Sequence, residues 1–402
     1  MINLESGLRN NRTEFIRETT FNQTPADPAW ELLSDEVFAF DWDGQRDIFA
    51  KRRLGSVDPD QFFGGSEGHE VTVEYYLQRW LLSGGNPLDP LGDAVVRDLD
   101  NNMGSSLSLV SREDRQVSGG NPLIDSGVRT YTVVTGAYAN TAVVPGQVES
   151  GEPIRPTINY IASKVRSYEI SQPAASTTLT VVSDNAGDTT QSLDVEDEGA
   201  GTTETIALNG VTPVVGAQSF TDIDAAYLDA ECIGDVTVTD GTDTLFVIFG
   251  SATYDNIEGD RGVPLLGAGS HGAALATAYE QFIDDTITRD GNDIAAYVNS
   301  AEFRVNNNLD TRPQLGSLAR VIIPGTRQTE LQTGVFGPHE SHAQMMDHLR
   351  VLQSDIVWTL TGGTITLDDA VLMSPPGRRY QAEEVTMDLD CTFEAAGLTV
   401  SG

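Results

Sequence analysis

Ser270 has the neighbours closest to those of a nucleophile. Ala268-Gly269-Ser270-His271-Gly272 is a degenerate A-x-S-x-G turn ahead of a helix-like stretch. A nucleophile elbow needs a buried strand directly upstream to raise the serine on a strained turn. The residues before this one, DRGVPLLG, are too short and contain Pro264. No glycine-rich oxyanion segment accompanies it, so Ser270 reads as a helix N-cap or loop residue.

His339, Glu340, His342 and His348 in HESHAQMMDH carry metal-ligand types. A zinc-protease helix needs H-E-x-x-H, which puts both imidazoles on one face four residues apart. Here the spacings are three and six, and Pro338 sets His339 at or before the helix start, so a surface helix is expected instead. The acidic segments DVEDEGAGTTE (194–204) and DNIEGD (255–260) lack the fixed Gly and terminal Glu of a calcium loop and read as solvated surface. Asn11-Arg-Thr and Asn22-Gln-Thr are sequons that recur by chance. No catalytic, cofactor-binding or metal residue is expected, and the chain is not read as an enzyme.

Composition says more than any motif. The 402 residues exceed the usual span of one hydrophobic core, so two or three domains are expected. Sixty acidic residues against 24 basic ones give a net charge of −36. Lys51 and Lys164 are the only lysines. With 39% apolar residues in strand-like patterns, this is the composition of a folded halophilic protein rather than a disordered one. At molar salt the screening length falls to about 3 Å, which relieves carboxylate repulsion. Tight nucleic-acid binding is disfavoured, because phosphates need clustered cations.

Cys232 and Cys391 have no CxxC spacing and read as small hydrophobes in strands. The segment MINLESGLRNNRTEF has no apolar signal core, and no apolar run approaches membrane-spanning length. A soluble protein made in the cytoplasm is expected.

Residues 1–30 read as an extended arm, with Pro25 and Pro28 against a long helix. Strands are expected near Glu31–Phe40, Ser105–Ser111, Val128–Thr135 and Pro156–Tyr168. From about 169 to 252 the chain becomes rich in Thr, Val, Asp and Gly, with short alternating strands and Asn-Gly or Asp-Gly turns. That pattern suggests a small immunoglobulin-like β-sandwich, with Asp222–Leu228 either a helical turn or an edge strand. Residues 253–290 read as linker and helix, with Leu275, Ala278, Tyr279 and Phe282 on one face.

The last segment, 291–402, replays 31–168. Strands at Glu302–Asn306 and Thr326–Phe336 flank a long polar excursion, and a helix is expected from Ser341. Leu54-Gly55-Ser56-Val57 matches Leu315-Gly316-Ser317-Leu318, Phe62 matches Ile323 and Gly64 matches Gly325, all in one register. WTLTGG and TITLDDAVLM then match the central strands of the first half. Pro376-Gly377 matches Pro145-Gly146, and VTMDLDCTF matches PTINYIASKV.

With RETTFNQTPADPAWELL and NNNLDTRPQLGSLARVIIPGTRQTELQTGVF, this pattern resembles the major tail tube proteins of long-tailed viruses, here of a haloarchaeal host. The resemblance covers about 30–168 and 295–402 and rests on pattern rather than a short signature. It implies a mainly β protein: two duplicated tail-tube-type β-sandwiches, each with a short helix, plus the inserted Ig-like sandwich. It also implies self-assembly, in which sheets join edge to edge into rings and rings stack into a tube through which DNA passes without tight binding. Two such domains per chain make the expected ring a trimer with pseudohexameric symmetry. The remaining implied partners are the tape measure, tail terminator and baseplate proteins, and the implied location is the virion tail. Arg46, Arg52, Arg53, Leu54, Arg312, Leu315, Arg320 and Arg327, in or beside the hairpins 41–64 and 306–325, are the expected inter-ring or inter-subunit contacts. Acidic strand residues are expected to face the lumen. The competing reading is a β-rich adhesion or baseplate component that works through the insert.

Overall fold

Period-2 alternation dictates the architecture, since a strand with one apolar face must bury it against another sheet. The computed structural model describes residues 10–25, 30–34, 37–51, 61–78, 106–114, 128–147, 151–197, 200–253, 259–265, 279–294, 298–313, 320–338, 353–360, 363–374 and 386–401. Among these the fold is mainly β, in several antiparallel sheets, with no α-helix and one 3₁₀ turn at Phe282–Asp284.

The first eight strands are β1 (Asn10–Arg17), β2 (Glu31–Leu32), β3 (Val37–Lys51), β4 (Gln61–Tyr75), β5 (Leu107–Asp114), β6 (Val128–Gln147), β7 (Thr157–Ala162) and β8 (Lys164–Ser171). They form two layers joined by the long β6. One layer runs β2-β1-β5-β6-β8 and the other β6-β7-β4-β3. β6 changes layer at Gly136, whose φ of +63° suits a residue without a Cβ. A Cβ there would lie 2.6 Å from that of Ser163. The buried Glu18 carboxylate accepts the Gly136 N–H at 2.8 Å and so holds the crossing in place.

The strand expected over Pro156–Tyr168 therefore breaks. Its partner β6 leaves one layer for the other, so the chain must bend at Ser163 into β7 and β8. The Ser163 N–H is shared there between Thr135 and Gly136 carbonyls. The expected N-terminal arm is also corrected, because β1 pairs along its whole length with β5.

The last strands are β17 (Thr286–Arg289), β18 (Asn292–Asp293), β19 (Val298–Asn306), β20 (Asp310–Pro313), β21 (Arg320–Ile323), β22 (Gln328–Pro338), β23 (Ser354–Leu360), β24 (Gly363–Ser374), β25 (Thr386–Glu394) and β26 (Gly397–Ser401). Apart from the small β20-β21 hairpin, they follow the pairing order of the first eight. One layer runs β18-β17-β23-β24-β26, and β24-β25-β22-β19 forms the other. The irregularities coincide as well. β3 and β19 each carry a bulge one residue into the strand, at Phe38 and Asn299. β24 changes layer at Asp369, with φ +52°, and bulges four residues later at Met373; β6 bulges four residues after Gly136, at Asn140. Residues of both sets, among them Val71, Tyr160, Phe303 and Trp358, share one core cluster.

Between the two sets lie β9 (Thr177–Ser183), β10 (Ser192–Asp197), β11 (Thr202–Ala207), β12 (Val214–Phe220), β13 (Ala225–Leu228), β14 (Val236–Thr239), β15 (Thr244–Ile248) and β16 (Gly262–Val263). They make two four-stranded sheets, β11-β10-β13-β16 and β12-β9-β14-β15. The Asp222–Leu228 segment is a strand from Ala225, flanked on both sides, rather than a helical turn or an edge. β16 lies beyond the expected boundary at 252. The core of this unit extends into the outer layer of the first set through Tyr131, Tyr168 and Ile170.

The helix expected over 273–285 is absent in its described part. Residues 279–281 are extended, with Glu280 hydrogen-bonded to Leu77 and Ile154, and Phe282 is buried edge-on to Trp358 at 5.5 Å. Tertiary pairing outweighs a modest helical period. The helix expected from Ser341 lies outside the described residues.

Candidate functional site

Eight of these strands form one continuous layer. It runs β24-β25-β22-β19-β6-β7-β4-β3, because β19 pairs antiparallel with β6 through Ser300↔Gln147 to Asn306↔Thr141. The two four-strand groups thus lie side by side in the same direction rather than mirrored.

Burial separates the two ends of this run. The shared bulge places Trp42 of β3 where Phe303 stands in β19; Trp42 pairs with Val71, and Phe303 pairs with Leu331. Phe303 is 0% exposed because Val144 of β6 lies across from it. Trp42 is 45% exposed, and among the described residues β3 pairs with β4 alone. At the opposite end Val371–Ser374 of β24 pairs with β25, and Met373 is 58% exposed.

Alternation sends Val71, Val73 and Tyr75 inward and Glu70, Thr72 and Glu74 outward. On the outward face the strands carry Asp41, Asp43, Glu70, Glu74, Glu302, Glu330 and Glu394 against Arg304, among the described side chains. Asp43 faces Glu70 and Glu330 faces Glu394 directly across strands. Such like-charge pairs destabilise a sheet in dilute buffer and are tolerated where salt screens them. Arg304 pairs with Glu302, and Arg155 reaches Glu74 at 2.6 Å from outside the strands. The face is polar and strongly acidic.

The inward end of β4 carries a buried ionic network. Glu67 lies 3.5 Å from His69 Nε2 and 3.1 Å from Arg166, whose Nε donates to Asp260 at 2.9 Å. His69 foremost, with Arg166, pulls the Glu67 carboxyl down to about 2 against the opposing effect of burial. Farther along the seam with the inserted unit, Arg129 grips Asp222 and Asp224 at 2.5 Å, and Arg112 reaches Asp224 at 3.1 Å. Burial raises the Asp222 pKa despite Arg129. The cations of this seam come from the first strand set, and the carboxylates Asp222, Asp224 and Asp260 come from the insert.

Several anticipated residues resolve differently. The acidic segments are not simply solvated: Asp197 is 2% exposed and caps a turn through Ala200 and Thr221, while Asp260 is buried against Arg166 and Lys164. Cys232 is buried in a loop rather than a strand, and burial pushes its thiol up to about 12. Cys391 is in β25. Arg312 pairs with Asp310 of its own hairpin at 3.4 Å, both exposed. Arg320 folds back on β4, where a Cβ at Gly68 would meet its guanidinium at 2.8 Å. Arg327 is partly buried, which lowers its pKa. Arg46 is in β3 opposite Glu67. Arg52, Arg53, Leu54 and Leu315 lie outside the described residues, as do Ser270, His339, His342 and His348.

The sequence pattern did not reveal the open edge at Trp42 or the seam cations Arg112, Arg129 and Arg166. The only available signal was the 261-residue offset, which also relates Trp42 to Phe303. Among the described residues no helix is long and apolar enough to cross a membrane. Neither a family of known proteins nor any curated protein matches this sequence.

Proposed function

We propose that this chain is a self-assembling tail tube subunit of a virus with a halophilic host, carrying two copies of one tube-forming sandwich and an Ig-like insert. The observation that carries the reading is the contrast between Phe303 and Trp42. Equivalent positions differ in burial because β19 has a second neighbour, β6, while β3 has none beyond β4 among the described residues. A second copy presenting the β24 end to β3 would supply it, using the same kind of junction as β19-β6.

The two edges differ, so the contact is head to tail and closes only as a ring. Three chains would make a barrel of about 24 strands. With about 4.8 Å between strands and a tilt of about 40°, opposite backbones would lie about 48 Å apart, enough for a DNA duplex with side chains in place. The acidic face would then line the channel and repel phosphate, favouring passage over binding. The β3-β4 hairpin and the β20-β21 extension would project from the same end toward the next ring. The tape measure, terminator and baseplate proteins would be the further partners, and the virion tail the location.

Electron microscopy of the purified full chain in molar salt, with mass by light scattering, tests this. Hollow rings or stacked tubes of trimers are the expected result. A monodisperse monomer at every concentration, with no rings when seeded by preformed virion tails, would overturn it.

A further inference from the structure

At the junction of the first strand set, its N-terminal turn and the insert lies a cleft of about 540 Å³, within the range of ligand pockets. It sits on the β6-β8 layer, away from the acidic face. Its walls combine three chemistries.

The first is aromatic. Phe21 is 43% exposed, with its other face stacked near Tyr138 at 5.8 Å. The second is planar and hydrogen-bonding, from Asn22 and Gln23 of the same turn. That turn is fixed, since Glu18 accepts the Asn22 N–H at 2.8 Å and Thr24 bonds the buried Ser108 at 3.0 Å. The third is cationic. Lys164, Arg166 and Arg261 line the cleft; Lys164 and Arg166 are paired with Asp260, and Arg166 with Glu67 as well, so the charge that faces the cleft is that of Arg261.

Arg261 is the distinctive member. Its Nε and Nη2 donate to the main-chain carbonyls of Leu228 and Asp229, and its plane lies over Tyr227 at 4.5 Å. Among the described residues no carboxylate pairs with it. The two acids on the wall are committed elsewhere: Asp229 to the Ser192 N–H and hydroxyl, Glu231 to the Gly259 N–H. A guanidinium held by carbonyls keeps its full positive charge and has N–H donors left for an anion in the cleft. An exposed ring with adjacent amides suits the apolar face and hydroxyls of a sugar.

We propose that this cleft binds an acidic saccharide, with the sugar ring against Phe21, hydroxyls at Asn22 and Gln23, and the acid group at Arg261. This goes beyond tube assembly and does not depend on it. The insert would then serve as one wall of a lateral attachment site rather than as decoration.

The test is titration of the full chain in molar KCl with a hexuronate disaccharide and its neutral, carboxyl-reduced counterpart, followed by calorimetry and ligand NMR. Phe21→Ala and Arg261→Gln are run alongside, with thermal melting to establish that each is folded. The expected result is saturable binding of the acid, roughly tenfold weaker binding of the neutral sugar, and a loss of about tenfold or more in Phe21→Ala. Arg261→Gln should abolish the preference for the acid. Absence of saturation by either sugar up to about 10 mM would overturn the proposal. So would binding that Phe21→Ala leaves unchanged, or equal binding of the two sugars by the unmutated chain.

Discussion

Truncating Trp42 to alanine separates the proposed ring edge from the fold that carries it. An aromatic side chain can bury up to about 250 Å², and 45% of Trp42 is exposed in the single chain, leaving about 110 Å² for a neighbour to cover. At about 25 cal/mol per Å² that area is worth about 3 kcal/mol per junction, or about 100-fold in the association constant. The assay is sedimentation velocity in molar salt across a dilution series. With three junctions closing a ring of three chains, the midpoint for ring formation should move up by about three decades in concentration in Trp42→Ala, while Val211→Ala, at a site on the insert that is 55% exposed, leaves it in place. Phe303→Ala should do the converse. Its neighbour is in the same chain, so it should cost about 3–5 kcal/mol of folding stability. A Trp42→Ala midpoint that moves no further than that of Val211→Ala would refute the reasoning.

Two further outcomes follow from the geometry. The Glu67 carboxyl is lowered in the folded state from 4.5 to about 2, so its contribution is present above pH 4.5 and lost as pH falls toward 2. After discounting for partial solvent contact, Glu67→Gln should cost about 1.5–2 kcal/mol at pH 7 and flatten that acid limb in chemical denaturation. Gly136→Ala forces a Cβ onto Ser163 at positive φ and should lower stability by about 1–3 kcal/mol, whereas Asp369→Gly, at the equivalent crossing, should be neutral or better by denaturant midpoint.

The strands were largely legible, because alternation such as Val71, Val73 and Tyr75 is a local signal. The order of the two strand sets was legible too, since Leu54 and Leu315 keep one offset through the hairpins. What the residues could not disclose is where β6 and β24 change layer. Gly136 and Asp369 share a backbone conformation but no side chain, so no comparison of residue types aligns them. The helix expected to end at Asp285 failed for the complementary reason: its apolar period is real, but Phe282 and Glu280 are claimed by distant partners. Charge was the least legible property at the level of single residues. Asp197 and Asp260 look like their exposed neighbours in the sequence and are buried in the fold.

The edges of the insert are treated differently from β3. β12 has a register shift between Val215 and Ser219, and Glu204 of β11 reaches over to accept the N–H groups of Ala217 and Gln218. A carboxylate fastened over main-chain donors leaves an incoming strand nothing to zip onto there. If the chain assembles as proposed, the β12 edge would therefore take no part in joining one copy to the next. Along that edge, crowding at high local concentration would not lead to strand addition, and the group that prevents it is a single glutamate.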